Sequence, residues 1–189
     1  MIIDIEKQSA DKVRKFFAAF GKQAESAHVR ATNRALMGIR TDGVRLVREE
    51  YNVKAGVVRK AFSVHRASPN NLEAKAVAFG RRIPLKQFSP RPSKPGGRLP
   101  PKGVSVEVRK GARKIVRSSF FARMKSGHTG VFTRVGKERL PIRERHSLAV
   151  PQMLNREDVT KELEAGAVKR FERTLDHEIN RALQKMGAK

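Results

Sequence analysis

The 189-residue chain has no cysteine and no tryptophan, one tyrosine, and only 18 acidic residues against 42 Lys and Arg. Without cysteine there are no disulfides, thiolate zinc ligands or thiol nucleophiles. That composition suits a reducing compartment. No apolar run approaches the roughly 18 residues that a membrane span needs. The opening residues MIIDIEKQ lack a basic segment followed by an apolar one, so no signal peptide and no membrane partner are expected. With ten Phe and one Tyr as its aromatics, the chain has material for a modest core. No internal repeat is visible.

What the chain has is positive charge, unevenly spread. Residues 80–145 hold 19 basic and 3 acidic side chains, so +16 of the formal +24 lies in about a third of the length. Residues 1–79 carry +7 and residues 146–189 carry +1. Such imbalance acts on association and solubility rather than on fold, and its natural counterpart is a polyanion or an acidic protein surface.

Periodicity supplies the organisation. Residues 9–51 read as helix, opened by Ser9 as N-cap. Val13, Phe16, Phe17 and Phe20 form one apolar stripe, and Ala24, Ala27, Ala31, Ala35, Leu36 and Ile39 a second one of smaller residues. Gly21, Gly38 and Gly43 are expected to interrupt or bend it. A short helix from Val53 to Phe62 follows. Ser63–Ser68 and Leu72–Phe79 alternate about Pro69-Asn70-Asn71, which predicts a hairpin. Residues 84–101 contain six of the nine prolines together with Gly96-Gly97, which predicts a long exposed loop. Val104, Val106 and Val108 mark a strand ending at Lys110-Gly111. Residues 112–126 fit strand or helix equally. Residues 130–136 form another strand, and Leu140-Pro141-Ile142 an edge strand. Asn155 followed by Asp158 resembles a helix start. The stripe Val159, Leu163, Ala167, Phe171, Leu175, Ile179, Leu183 and Met186 predicts a helix to about Met186.

The expected fold is therefore α+β: a small, mostly antiparallel sheet from residues 63–79, 103–110 and 130–143, packed by long amino- and carboxy-terminal helices and carrying an extended Pro/Gly-rich basic loop. The expected regions are an amino-terminal helical part (1–62), a central basic β part (63–153) with its loop at 84–102, and a carboxy-terminal helix (154–189) on the same domain.

Catalytic and metal-binding signatures are missing. The five histidines are scattered, without H-E-x-x-H or Cys/His spacing. Gly136-Lys137 is not a phosphate loop, because Val131 and Glu138 occupy positions that need Gly and Ser/Thr. Glu107, Glu138 and Glu144 are the only carboxylates in the basic block, too few and too separate for a two-metal nuclease. No catalytic residue, metal or cofactor is expected. The candidate contacts for a nucleic acid or acidic partner are Lys86 and the loop residues Arg91, Lys94, Arg98 and Lys102. A second cluster comprises Arg81, Arg82, Arg109, Lys110, Arg113 and Lys114.

Several segments, in order, resemble the minor tail protein Z family of lambda-type tailed phages and prophages. They are Ala31-Thr32-Asn33-Arg34-Ala35-Leu36 leading to Val53-Lys54-Ala55; Arg66-Ala67-Ser68-Pro69-Asn70-Asn71-Leu72-Glu73-Ala74; Ile83-Pro84-Leu85-Lys86-Gln87-Phe88; residues 103–111; and residues 130–136 followed by Arg139-Leu140-Pro141-Ile142, Ser147 and Val150-Pro151. The likeness covers roughly residues 25–185. Arg145-His146 stand where the family has glycine-proline. The resemblance implies a non-enzymatic virion component, made in the host cytoplasm and resident in the tail, that completes the tail for joining to the head. The partners implied are other tail proteins, further copies of the chain in a ring, and non-specific contact with DNA. The candidate subunit contacts are Phe16, Phe17 and Phe20 on the first stripe, and Phe132, Arg134, Pro141 and Ile142 at the sheet edge.

Overall fold

The computed structural model describes residues 14–18, 20–96 and 102–187. Ser9, Val13, Gly97, Arg98, Pro100 and Pro101 lie outside the described residues, as does the side chain of Met186. The chain divides into two compact units. One comprises residues up to Val44, Arg59–Phe79 and the chain from Leu154 onward; the other comprises Arg45–Val58 and Gly80–Met153.

The first unit is built on helices. Helical residues 14–18 and 20, here α1, precede Gly21, beyond which α2 (Lys22–Glu50) begins. Gly21 has φ +48°, a left-handed conformation that glycine adopts without steric cost, so the expected break occurs there. It does not occur at Gly38 or Gly43: α2 runs unbroken through both. These two glycines serve close packing. A Cβ on Gly38 would lie 2.6 Å from Cδ of Arg170, and one on Gly43 would lie 2.7 Å from the ring tip of Phe62. After α3 (Ala55–Lys60) comes the expected hairpin, β1 (Phe62–His65) antiparallel to β2 (Lys75–Ala78). Its turn is tied by reciprocal backbone bonds between Ser68 and Asn71. Asn33 on α2 donates Nδ2 to the Ala67 carbonyl at 3.0 Å and accepts the Ala67 N–H at 2.9 Å.

The long final helix α5 spans Glu157–Gly187, two residues inside the Asn155 start read from sequence. Glu157 and Asp158 in its first turn suit the positive end of the helix dipole. Ala24, Ala27, Ala31, Ala35 and Ile39 of α2 share one core with Ala167, Phe171, Leu175 and Ala182 of α5 and with Phe16. The expected stripe fails at Leu183, which is 49% exposed while Ala182 is buried. At about 100° per residue, position 182 lies within about 20° of Phe171 around the axis and 183 about 120° away. A strict four-residue step drifts off the buried face.

Two ion pairs fix the direction of the helices: Arg30 with Glu178, and Arg170 with Asp42 through both guanidinium nitrogens at 2.5 and 2.9 Å. The lower partner number on α2 meets the higher one on α5, so the helices run antiparallel.

The second unit holds the remaining strands, in two sheets. β3 (Gly103–Arg109) pairs antiparallel with β4 (Ala112–Arg117), with an irregularity between Glu107 and Arg109. β5 (Ser119–Arg123), β6 (Thr129–Arg134) and β7 (Ile142–Glu144) form a three-stranded antiparallel sheet in that order. The ambiguous residues 112–126 are thus strands, and the single sheet expected is three small ones once the β1–β2 hairpin is counted. Ser118, at φ +53°, is the only residue between β4 and β5. Ser119 pins that corner, donating its hydroxyl to the Val116 carbonyl and accepting the Val104 N–H at 3.0 Å. The edge strand begins at Ile142, just past Pro141, because proline has no N–H for the ladder. A short helix α4 (Val150–Leu154) closes the unit's chain.

The loop at 84–101 is less free than its prolines suggest. Ile83, Leu85 and Phe88 are buried, Phe88 completely. Residues Leu85–Gln87 form a 3-10 turn, and Arg91 and Ser105 exchange backbone bonds. Three apolar anchors at its start therefore hold the segment down to Arg91.

Phe171→Ala should cost about 3–5 kcal/mol, because the ring is fully buried and its removal leaves a cavity; denaturant melts check this, and an unchanged midpoint would contradict the register of α5. The hydrogen bond from Arg30 holds the Glu178 carboxyl below its ordinary value near 4.5, against the opposing effect of burial. A value depressed on folding means that the ionised group stabilises the fold above the unfolded value and loses that contribution as pH falls through the folded one. The difference in melting temperature between the wild type and Glu178→Gln should therefore be largest at neutral pH and shrink as pH falls below about 4.5.

Candidate functional site

The residues expected to contact an anionic partner separate into two classes. Arg109 and Arg113 are already engaged. Arg109 Nε lies 3.2 Å from Glu50 Oε1, with its guanidinium over the Tyr51 ring. Arg113 meets Glu107 at 3.2 Å and donates to the carbonyls of Ser89 and Ser105. These two guanidiniums brace the β3–β4 ribbon. Lys110 and Lys114, on the same ribbon, are exposed. So are Arg91, Lys94 and Lys102, while Lys86 is half-buried in the 3-10 turn.

Arg81 and Arg82 have a different setting. They line an open cleft of about 630 Å³ together with Arg143 and Arg145. Leu85 and Val116 supply its apolar wall. All four arginines are exposed, and among the described residues none has a carboxylate partner.

The cleft is assembled by backbone pairing. Arg143 and Arg145 are two residues apart at the end of β7, so the strand's alternation puts them on one face. The following residues then run beside the start of the 84–101 loop: Leu85 N–H donates to Arg145 O, Ser147 N–H to Ile83 O, and Ile83 N–H to Leu148 O, at 3.0, 2.8 and 3.2 Å. This pairing carries Arg81 and Arg82 to the arginines of β7. Arg143 and Arg145 were not among the residues singled out from sequence. The Arg-Glu-Arg alternation was legible, but the pairing that gives it neighbours is about 60 residues long-range.

The cleft's one carboxylate, Glu144, is held from two sides. His128 Nε2 lies 3.0 Å from Glu144 Oε2, and His146 Nε2 lies 3.9 Å from the same oxygen. Gly130 makes room for this carboxylate, since a Cβ there would sit 2.5 Å from Oε1. Histidines scattered in sequence thus converge across strands. No group of three or more His, Asp or Glu among the described residues is arranged to hold a metal ion. Guanidiniums present planar paired donors whose geometry matches carboxylate or phosphate oxygens.

The expected subunit contacts are also mixed. Phe16 and Phe132 are 3% and 5% exposed, so their rings belong to the cores of their own units. Phe17 and Phe20 are half-buried against the helical core. Arg134 is exposed, with its guanidinium 5.4 Å from the centre of the Phe120 ring. Pro141 is exposed and Ile142 half-buried at the sheet edge, beside the exposed Leu140 and Val135. Among the described residues no helix is long and apolar enough to cross a membrane.

No curated protein and no solved structure matches the chain. A family model described as prophage minor tail protein Z (GPZ) matches residues 13–189. That match spans both units, including the segments that meet at Asn33 and Ala67 and those that build the arginine cleft. The chain belongs to the prophage minor tail protein Z family and is a structural protein of the phage tail.

Proposed function

We propose that this tail protein acts at the head-proximal end of the tail, completing it for attachment to the head, as a non-enzymatic component assembled in the host cytoplasm. The observation that carries the reading is the family match over residues 13–189, joined to a cationic unit in which Arg81, Arg82, Arg143 and Arg145 have no carboxylate partner among the described residues. A tail is a stacked rotational assembly, and a ring of copies is the geometry that such an assembly invites. In that ring Arg134, Pro141 and Ile142, with the neighbouring Leu140, form the contact edge between subunits. The exposed cations Arg91, Lys94, Lys102, Lys110 and Lys114, with Arg98 of the same basic segment, face other tail components, and contact with DNA in the channel is secondary to those protein contacts.

Deleting the gene from an inducible prophage should leave heads and tails unjoined in electron micrographs of the lysate, with complementation restoring whole particles; normal, fully joined virions from the deletion would overturn the reading. Replacing the exposed Arg91, Lys94 and Lys102, together with Arg98, by Ser should leave the melting temperature within a few degrees of wild type, while lowering the yield of infectious particles. Full infectivity of that variant removes this patch from the mechanism.

A further inference from the structure

We propose that the cleft formed by Arg81, Arg82, Arg143 and Arg145 is a docking site for an acidic segment of another protein. The proposal deepens the tail-assembly reading above and rests on it for the source of the partner.

Four guanidiniums that have no carboxylate partner among the described residues line one concavity. Like charges gathered in this way repel one another, and an uncompensated cluster destabilises the compact state. A bound anion relieves that repulsion. The protein's own carboxylate does not: Glu144 is drawn towards His128 and His146. Elsewhere in the same unit arginines are neutralised internally, Arg109 by Glu50 and Arg113 by Glu107. Their contrast with the cleft marks the four as a group that converges on one concavity without internal neutralisation among the described residues.

The shape and lining of the cleft select the partner's class. Duplex DNA would offer this cleft phosphates and sugars alone, leaving the apolar wall of Leu85 and Val116 nothing to pack against. Single-stranded nucleic acid is held by bases stacked on aromatic rings, and the cleft offers Leu85 and Val116 instead. A peptide with spaced Asp or Glu satisfies every feature: its carboxylates pair with the guanidiniums, and its backbone and aliphatic carbons lie against Leu85 and Val116.

The test uses the full-length protein and a fluorescent oligoglutamate peptide, with labelled duplex DNA of equal charge as competitor, at physiological salt. Arg143→Glu/Arg145→Glu should weaken oligoglutamate binding by about tenfold or more, as loss of charge-assisted paired contacts does. Lys125→Glu/Lys137→Glu makes the same change in net charge on exposed turns of the same unit and should change it by less than about twofold if the effect is local rather than a long-range field. Circular dichroism melts verify folding, and Arg143→Gln/Arg145→Gln replaces the reversal variant if that one is unfolded. Absence of oligoglutamate binding, or equal loss in both variants, overturns the proposal. Duplex DNA that displaces the peptide and itself loses affinity in the cleft variant overturns it in favour of nucleic acid. The measurement needs no virions, so a chain that binds through the cleft yet is dispensable for joined particles overturns the tail-end reading alone.

Discussion

Everything in the helical unit turns on how closely α2 can approach α5. Four alanines of α2 and the alanines at 167 and 182 of α5 keep the facing surfaces low. Phe171, Leu175 and Leu163, all fully buried, fill what space remains. Small residues at a crossing let dispersion contacts form along the whole seam rather than at a few protruding side chains. The same closeness permits the Asp42–Arg170 pair, whose guanidinium stem passes over Gly38, where a side chain would block it. The pair is charged, directional and partly buried, so it selects one axial register among those that an alanine-rich seam alone would tolerate.

Much of this was legible in the sequence because helices announce themselves locally. Phe171 and Leu175 declare a buried face by spacing alone, and the alternation around Pro69-Asn70-Asn71 declares a hairpin. The failures have a common cause. Gly38 and Gly43 look like breaks, since glycine's low helix propensity is a local property; their use, clearance for Arg170 and Phe62, belongs to tertiary packing. Residues 84–91 look loose because of their prolines, yet Leu85 and Phe88 are held in the core by partners far along the chain. Arg143 and Arg145 were unremarkable as isolated surface charges. They became a site only when the chain after β7 ran beside residues 83–85. Residues 112–126 resisted assignment because β4 is exposed on both faces and shows no alternation of burial.

The positive charge sorts into two physical roles. Arg109 and Arg113 act as internal braces, each spanning between backbone or carboxylate groups of neighbouring elements. Arg81, Arg82, Arg143 and Arg145 carry no such duty among the described residues. Net charge alone left a polyanion and an acidic protein surface both open; pairing and the cleft's apolar wall, which net charge does not encode, turn attention to a protein partner. The family assignment points the same way, since a tail is a protein assembly.

The pair of hydrogen bonds between Asn33 and Ala67 has a chemical corollary. A primary amide is the smallest side-chain group that offers a donor and an acceptor in one plane, and here it imitates a neighbouring β-strand for a single residue of the hairpin. An aspartate of identical size would place a second acceptor against the Ala67 carbonyl, turning attraction into repulsion at one of the two contacts. Position 33 thus discriminates a single atom, nitrogen from oxygen, and joins the two stretches of sequence that meet there more selectively than any apolar contact in the unit.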